Sequence, residues 1–178
     1  MTAPVTTSST PLTTNQDLDP SRLRAAFGIF PTGVVAVAAE VDGSLVGLAA
    51  SSFTSVSLDP PLISVNLART SRTWPDLRRA RHLGVTVLAD SQDVVCRQLA
   101  GPVDDRFTGV AHVVSEEGAV TLDEGLARFD CTIYREVDAG DHLLVLLELH
   151  AVEHVDHESA TTPLVFHRSA FGRLERPA

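Results

Sequence analysis

The stretch that most narrows the possible folds is Val34-Val35-Ala36-Val37-Ala38-Ala39, followed by Asp42-Gly43 and a return run from Leu45 to Ala50. A compact apolar segment, a tight-turn dipeptide and a second apolar segment of equal length predict a β-hairpin of buried strands. Pro60-Pro61 then restarts the chain into Leu62-Ile63-Ser64-Val65-Asn66-Leu67, whose alternation of large apolar and polar residues predicts a third strand. Leu83 to Leu88, Ala111 to Val114, Ala127 to Val137 and Leu143 to Val155 predict further strands, so β structure dominates the second half.

Helices fill the gaps between these strands. Asp19-Pro20-Ser21 provides an N-cap with proline at the first helical position, and Leu23, Ala26, Phe27 and Phe30 follow at helical spacing. Ser71 predicts a helix running through Ala80, with Asp76 inside it and Trp74 and Leu77 one turn apart. Ser91 predicts another that carries Val94, Val95 and Leu99. A polar loop surrounds Asp104-Asp105-Arg106-Phe107. Short strands at turn-punctuated intervals with a few helices point to a mainly β architecture, a closed or nearly closed antiparallel barrel decorated by helices. Parallel winding is disfavoured, because strands and helices do not alternate and no G-x-G-x-x-G follows a strand.

With 178 residues, of which 44% are hydrophobic, the chain can form one domain with a core of its own. Residues 1–16 are mostly Thr, Ser and Pro and read as a flexible tail, leaving 17–178 as the folded domain. Cys96 and Cys131 read as reduced, packed thiols. The formal charge of −9 opposes binding to nucleic acid. No apolar stretch reaches the roughly 20 residues that span a bilayer, and the opening residues lack a secretory pattern. A cytoplasmic protein with no membrane partner is expected.

Three constellations could carry chemistry. The run Ser51 to Ser57 holds four serines and a threonine after a buried strand and ends at Asp59-Pro60-Pro61, where missing amide hydrogens forbid continued pairing. Such a segment either satisfies its own backbone or presents hydroxyls and amides to a flat, polar-edged ring or to phosphate oxygens. Ser71-Arg72-Thr73, at an expected helix start, is either an ordinary cap or a phosphate cradle. Gly140-Asp141-His142 delivers an imidazole at a strand entrance, where it is either solvated or in reach of a ligand. Arg69, Arg72, Arg78, Arg79 and Arg81 form a local basic patch, read either as a solvated helix face or as a landing site for nucleotide phosphates. No metal site is expected: His150 and His154 stand four residues apart on a strand, about 13 Å, and neither cysteine has a C-x-x-C partner. No G-x-S-x-G is present for nucleophilic hydrolysis.

Taken in order, Phe30-Pro31-Thr32-Gly33-Val34, the run Gly47 to Leu62, Ser71-x-Thr73, Arg106-Phe107 and Gly140-Asp141-His142 resemble the short flavin reductase-like domain family, over about residues 20 to 175. The resemblance implies an FMN-binding split β-barrel, a homodimer, and reduction of FMN or FAD by NADH or NADPH through hydride transfer from nicotinamide C4 to flavin N5. It also implies a separate flavin-dependent monooxygenase or halogenase that receives the reduced flavin.

In that family the segment matching Ala49, Ala50, Ser51, Ser52, Phe53 and Ser55 lies along the isoalloxazine ring. The segment matching Ser71, Arg72 and Thr73 holds the ribityl phosphate, and the His142 position contacts the nicotinamide, which makes His142 the catalytic candidate. By the same resemblance Pro31, Thr32, Thr86, Leu88, Ala89, Gln92, Arg106, Phe107 and Phe171 are cofactor-binding candidates. Threonine stands at 86 where many relatives carry asparagine, which shortens or removes that flavin contact. Phe171 lacks the hydroxyl of a tyrosine common near the C-terminus, which leaves stacking alone. The absence of an extra basic pair beside His142 favours NADH. Two other activities fit the same fold: a flavin storage or electron-carrier protein, and a split barrel that acts directly on a small substrate.

Overall fold

The computed structural model describes residues 18–156 and 161–175. The expected tail, 1–16, lies outside the described residues. Helix α1 (Pro20–Phe27) starts as expected, with the Asp19 carboxylate accepting from the Ser21 and Arg22 amides. Its apolar residues do not pack inward, however: Phe27 is 71% exposed and Phe30 is 74% exposed.

Strand β1 (Thr32–Gly33) leads into the predicted hairpin of β2 (Val35–Val41) and β3 (Ser44–Ala50). Asp42 and Gly43 both have positive φ, 51° and 76°, the geometry of a two-residue I′ turn. Strand β2 is buried on both faces. Val35, Val37 and Ala39 join one apolar cluster, and Val34 with Ala36 joins the other. That explains its unbroken apolar sequence.

Strands β4 (Thr54–Leu58) and β5 (Pro61–Ala68) follow, and here the structure departs from expectation. The serine-rich run was expected to stop pairing before Pro60-Pro61, yet residues 54–58 pair antiparallel with β5, and Pro61 itself pairs with Leu58. A proline at the first position of a strand is tolerated where its missing N–H is not needed by a neighbour. Val56 is the extra residue of a bulge.

Helix α2 (Trp74–Leu77) is one turn long rather than extending to Ala80. Bonds of the i→i+3 kind, from the Arg79 amide to Asp76 and from the Ala80 amide to Leu77, tighten the exit instead. Strand β6 (Leu83–Val87) runs as predicted. After it, a 3₁₀ turn over Asp90–Gln92 precedes α3 (Asp93–Leu99). Ser91 does not cap this helix. The Gln92 carboxamide oxygen accepts the Ala89 amide and its nitrogen donates to the Asp123 carbonyl. Cys96 and Leu99 are the buried residues of α3, whereas Val94 is 67% exposed.

The rest is β structure: β7 (His112–Val114), β8 (Val120–Leu122), β9 (Ala127–Ala139), β10 (His142–His154), β11 (Val165–His167) and β12 (Ala170–Gly172). Seven strands form one antiparallel sheet in the order β3-β2-β6-β9-β10-β5-β4. The sheet curls, because the chain leaving β3 at one margin meets β5 near the other. There the Ser52 hydroxyl accepts the Asn66 amide at 2.8 Å and donates to the Asn66 carbonyl at 3.0 Å. A three-stranded sheet, β1-β11-β12, flanks it. Among the described residues no helix is long and apolar enough to cross a membrane.

Candidate active site

The curl leaves a cleft of about 1120 Å³ at one end of the sheet. Its floor is the end of β3, from Leu48 to Ser52, beside Asn66, Leu67 and Ala68 of β5. Ser71, Arg72, Thr73 and Arg106 form one flank, with the segment 99–103. The β9–β10 tip contributes Ala139 and His142, while α1 and the C-terminal hairpin close the rim with Arg24, Phe27, Phe30, Phe166 and Ser169.

The floor offers main-chain groups. The Gly47 carbonyl accepts from Arg106 at 2.7 Å, so at Gly47 the β3 backbone points away from β2. Main-chain direction alternates along a strand, so Ala49 points its amide and carbonyl to the same open margin, in the cleft that Ser51 also lines just past the strand end. Gly47 has to be glycine here, because a Cβ would lie 2.6 Å from the Phe107 ring and 2.9 Å from Ala38 Cβ. The Ser52 hydroxyl is committed to Asn66, whereas the Ser51 hydroxyl has no hydrogen-bond partner among the described residues.

Charge separates sharply between the cleft and the remainder of the protein. The chain carries −9, yet among the described residues no Asp or Glu lines the cleft, while Arg24, Arg72, Arg106 and His142 do. Arg106 is a strut held by neutral partners: Nε donates to the Gly101 carbonyl at 3.1 Å, and one terminal nitrogen reaches both the Gly47 carbonyl and Thr73 Oγ1 at 2.7 Å. Burial, and next the nearby Arg72 charge, lower the pKa of this guanidinium.

The basic patch of the sequence resolves into two kinds of arginine. Arg69 pairs with Asp138, Arg78 with Glu136, Arg79 with Asp42 and Asp76, and Arg81 with Glu117. Arg72 has no carboxylate partner among the described residues and faces the cleft. Beside it the Ser71 hydroxyl accepts the Trp74 amide at 3.2 Å, and the Trp74 indole N–H donates to Glu136 at 2.9 Å.

His142 opens β10 directly after a turn in which Gly140 has φ of +65°. It pairs with Ala68 of β5 and Ala139 of β9, which places the ring beside the Ser71 to Thr73 flank. Its Nδ1 lies 2.7 Å from Asp141 Oδ1, and that hydrogen bond holds the Asp141 carboxyl below the usual carboxylate range. The ring is 43% exposed, open to a ligand from the cleft side.

Ten of the residues singled out in the sequence therefore converge: Thr32, Ala49, Ala50, Ser51, Ser52, Ser71, Arg72, Thr73, Arg106 and His142. The others do not line this cleft. Pro31 precedes the short β1, and Phe53 packs against the core with its ring 6.1 Å from Phe129. Ser55 pairs with Ile63 along the sheet margin. Thr86 is fully buried, and its hydroxyl accepts the Leu122 amide at 2.9 Å. Leu88 and Ala89 are fully buried, and Gln92 is 6% exposed with its carboxamide bonded as described above. Phe107 packs under Gly47 and edges against His112. Phe171 lies behind Phe166, with the Arg97 guanidinium 4.7 Å from its ring centre.

Sequence reasoning missed Arg24, Asn66 and Phe166. Arg24 read as a polar residue of an amphipathic helix, and Asn66 as the polar phase of a strand. The pairing of Thr32 with Phe166 joins residues 134 positions apart, which no local pattern announces.

Comparison with known proteins gives a consistent result. The chain is 38% identical over 156 residues to a flavin reductase of Pseudomonas putida, covering 87% of this chain and 90% of that one. It is 43% identical over 125 residues to the reductase component of a flavin-dependent trigonelline monooxygenase of Acinetobacter baylyi, covering 70% of this chain but 40% of that longer protein. The structure of the Streptomyces globisporus NADH:FAD oxidoreductase SgcE6, in complex with NAD and FAD fragments, superposes with a TM-score of 0.84 at 31% identity, covering 95% of this chain and 99% of that one. The model of the flavin reductase like domain matches residues 27–175, most of the chain. An antiparallel curled sheet with an acid-free, arginine-flanked cleft is thus the setting in which this chain belongs to the flavin reductase like domain family.

Proposed function

We propose that this chain is an NAD(P)H:flavin oxidoreductase that binds FMN or FAD in the cleft and delivers reduced flavin to a separate flavin-dependent oxygenase. The observation that carries this reading is the donor set: the main-chain groups of Ala49 at the open margin of β3 and the Ser51 hydroxyl beside them, across from an Arg72 without a carboxylate partner, in a cleft that no carboxylate lines among the described residues. Such a set fits a flat ring with a polar edge joined to a phosphate, and it would reject a cationic ligand. When bound, the flavin and nicotinamide supply the redox chemistry themselves, so no protein nucleophile or paired carboxylates are required.

The residues then divide the work. The Ala49 amide and the free Ser51 hydroxyl orient the ring edge and stabilise negative charge there. Arg72 and the Ser71 to Thr73 segment take the phosphate, and Arg106 fixes Thr73 from behind. Leu48 and Leu67 keep water from the ring. His142, oriented by Asp141 through Nδ1, aligns the donor nicotinamide at the open side.

NADH is the favoured donor, in line with the NADH:FAD oxidoreductase named above, and the similarity to the reductase component of the Acinetobacter trigonelline monooxygenase supports an oxygenase partner. A homodimer would cover the exposed Phe27, Ile29 and Phe30 of the α1 region. The free thiols Cys96 and Cys131 suit the cytoplasm, where reduced nicotinamide is made.

One matrix of rates tests the reading: oxidation of NADH and of NADPH with added FMN, FAD and riboflavin, followed by nicotinamide absorbance. Turnover of free flavin with NADH preferred is the expected result. Tight flavin binding without turnover would make the protein a carrier and overturn the reading. Product formation from a small molecule without a second protein would overturn the delivery role.

A further inference from the structure

The β9–β10 tip that carries His142 is held from outside the cleft by one residue. Arg69 follows the last paired residue of β5, Ala68, which stands opposite His142. Its main-chain amide donates to the Asp141 carbonyl at 2.9 Å, and its side-chain Nε donates to the Gly140 carbonyl at 2.9 Å. The terminal nitrogen pairs with Asp138 on β9. Both carbonyls of the two-residue turn are therefore taken by Arg69, the Asp141 carbonyl by its main chain and the Gly140 carbonyl by its guanidinium, whose planar fork bridges Gly140 and Asp138 as an ammonium would not. Arg69 does not line the cleft, but two residues later the chain does, at Ser71, Arg72 and Thr73.

We propose that Arg69 is a positioning residue which fixes His142 relative to the Ser71 to Thr73 flank, and so sets how well donor and flavin are aligned. The proposal rests on the reductase reading given above. The Arg69–Asp138 pair is exposed, at 44% and 81% for the two side chains, so it adds little to global stability. The precision of the turn is what it controls. The imidazole is oriented by Asp141, and the peptide that leads into Asp141 is held by the Arg69 guanidinium through the Gly140 carbonyl. Removing the guanidinium lets the turn drift while the floor of the cleft, built from β3 and β5, stays in place. Small misplacement of an aligning group costs rate far more than it costs affinity.

Stopped-flow reduction of the flavin-loaded protein by NADH separates the roles. Arg69→Ala is expected to slow reduction at saturating NADH by at least about tenfold, while flavin affinity and melting temperature stay near those of the unaltered chain. Arg69→Lys recovers only part of the rate. Asp138→Asn leaves both carbonyl bonds and stays close to the unaltered rate. Reduction by Arg69→Ala within about twofold of the unaltered chain would overturn the proposal, as would an equal loss in Asp138→Asn. A second readout needs no activity. Carbon NMR of the Asp141 carboxyl in the flavin-free chain should show its titration moving up toward the ordinary carboxylate range in Arg69→Ala, because the bond to His142 loosens. An unmoved titration overturns the proposal. If the unaltered chain reduces no flavin with either donor, the reductase reading fails, and the carboxyl titration still decides the role of Arg69.

Discussion

His142 touches the cleft with one side of its ring and Asp141 with the other, so its truncation is informative only when binding and reduction are measured apart. His142→Ala is expected to lower the rate of flavin reduction by NADH about tenfold or more while flavin affinity barely changes; stopped-flow traces with an unchanged rate would remove its assigned role. Thr86 makes the opposite case. Its hydroxyl is the partner of a fully enclosed Leu122 amide, so Thr86→Val should cost about 1–3 kcal/mol in urea unfolding and leave flavin affinity unaltered. Both residues stood as site candidates in the sequence, His142 as catalytic and Thr86 as cofactor-binding. What separates them is which partner each polar group finds across the sheet, and that depends on chain segments 36 residues away in the case of Thr86 and Leu122. The Ser52 hydroxyl is a similar case, since a serine beside a free-edged strand gives no local sign that it will mimic a strand partner for Asn66.

At the level of elements, β8 is the least visible in sequence and among the most demanding in space. It crosses close over β6, and a Cβ on Gly84 would sit 2.0 Å from the Val120 carbonyl oxygen and 2.4 Å from its carbon. Backbone cannot step aside as a flexible side chain can, so Gly84→Ala should destabilise the fold by about 3 kcal/mol or more in urea unfolding. Gly33→Ala, with nothing within 4 Å of the new methyl group, serves as the control and should change little. Long-period features were legible: the β2–β3 hairpin through Asp42-Gly43, the two 13-residue strands β9 and β10, and the Asp19-Pro20 helix start. Three-residue strands such as β8, β11 and β12 offer too few positions for a period to register. Strand β4 escaped because Pro60-Pro61 read as a barrier, although Pro61 stands at the first position of β5, where proline is tolerated.

Across the whole molecule, an acidic chain has gathered three arginines and a histidine around one cleft that no carboxylate lines among the described residues. The field at the cleft is therefore local and opposed by the net charge, which makes phosphate binding sensitive to screening. Raising salt from about 0.05 to about 0.5 M should weaken FMN binding several-fold and leave riboflavin binding nearly constant, as measured by flavin fluorescence quenching. Equal salt effects on both ligands would mean that the arginines do not hold the phosphate. The overall architecture and the main motifs of the cleft were readable because they follow chain-local patterns. The contribution of α1 and the C-terminal hairpin to the rim was not, because those pieces meet only after the sheet has curled.

The floor of the cleft carries one last implication. Atoms at the open margin of β3 belong to the peptide backbone, and no substitution deletes a peptide group. Altering which flavin this protein prefers is thus a task for the side chains around the floor, at Ser51, Arg24, Arg72, Phe27, Phe30 and Phe166, while the main-chain donors can be re-tuned only by moving the strand that bears them. A library aimed at those side chains would sample new selectivities on an unchanged set of backbone donors.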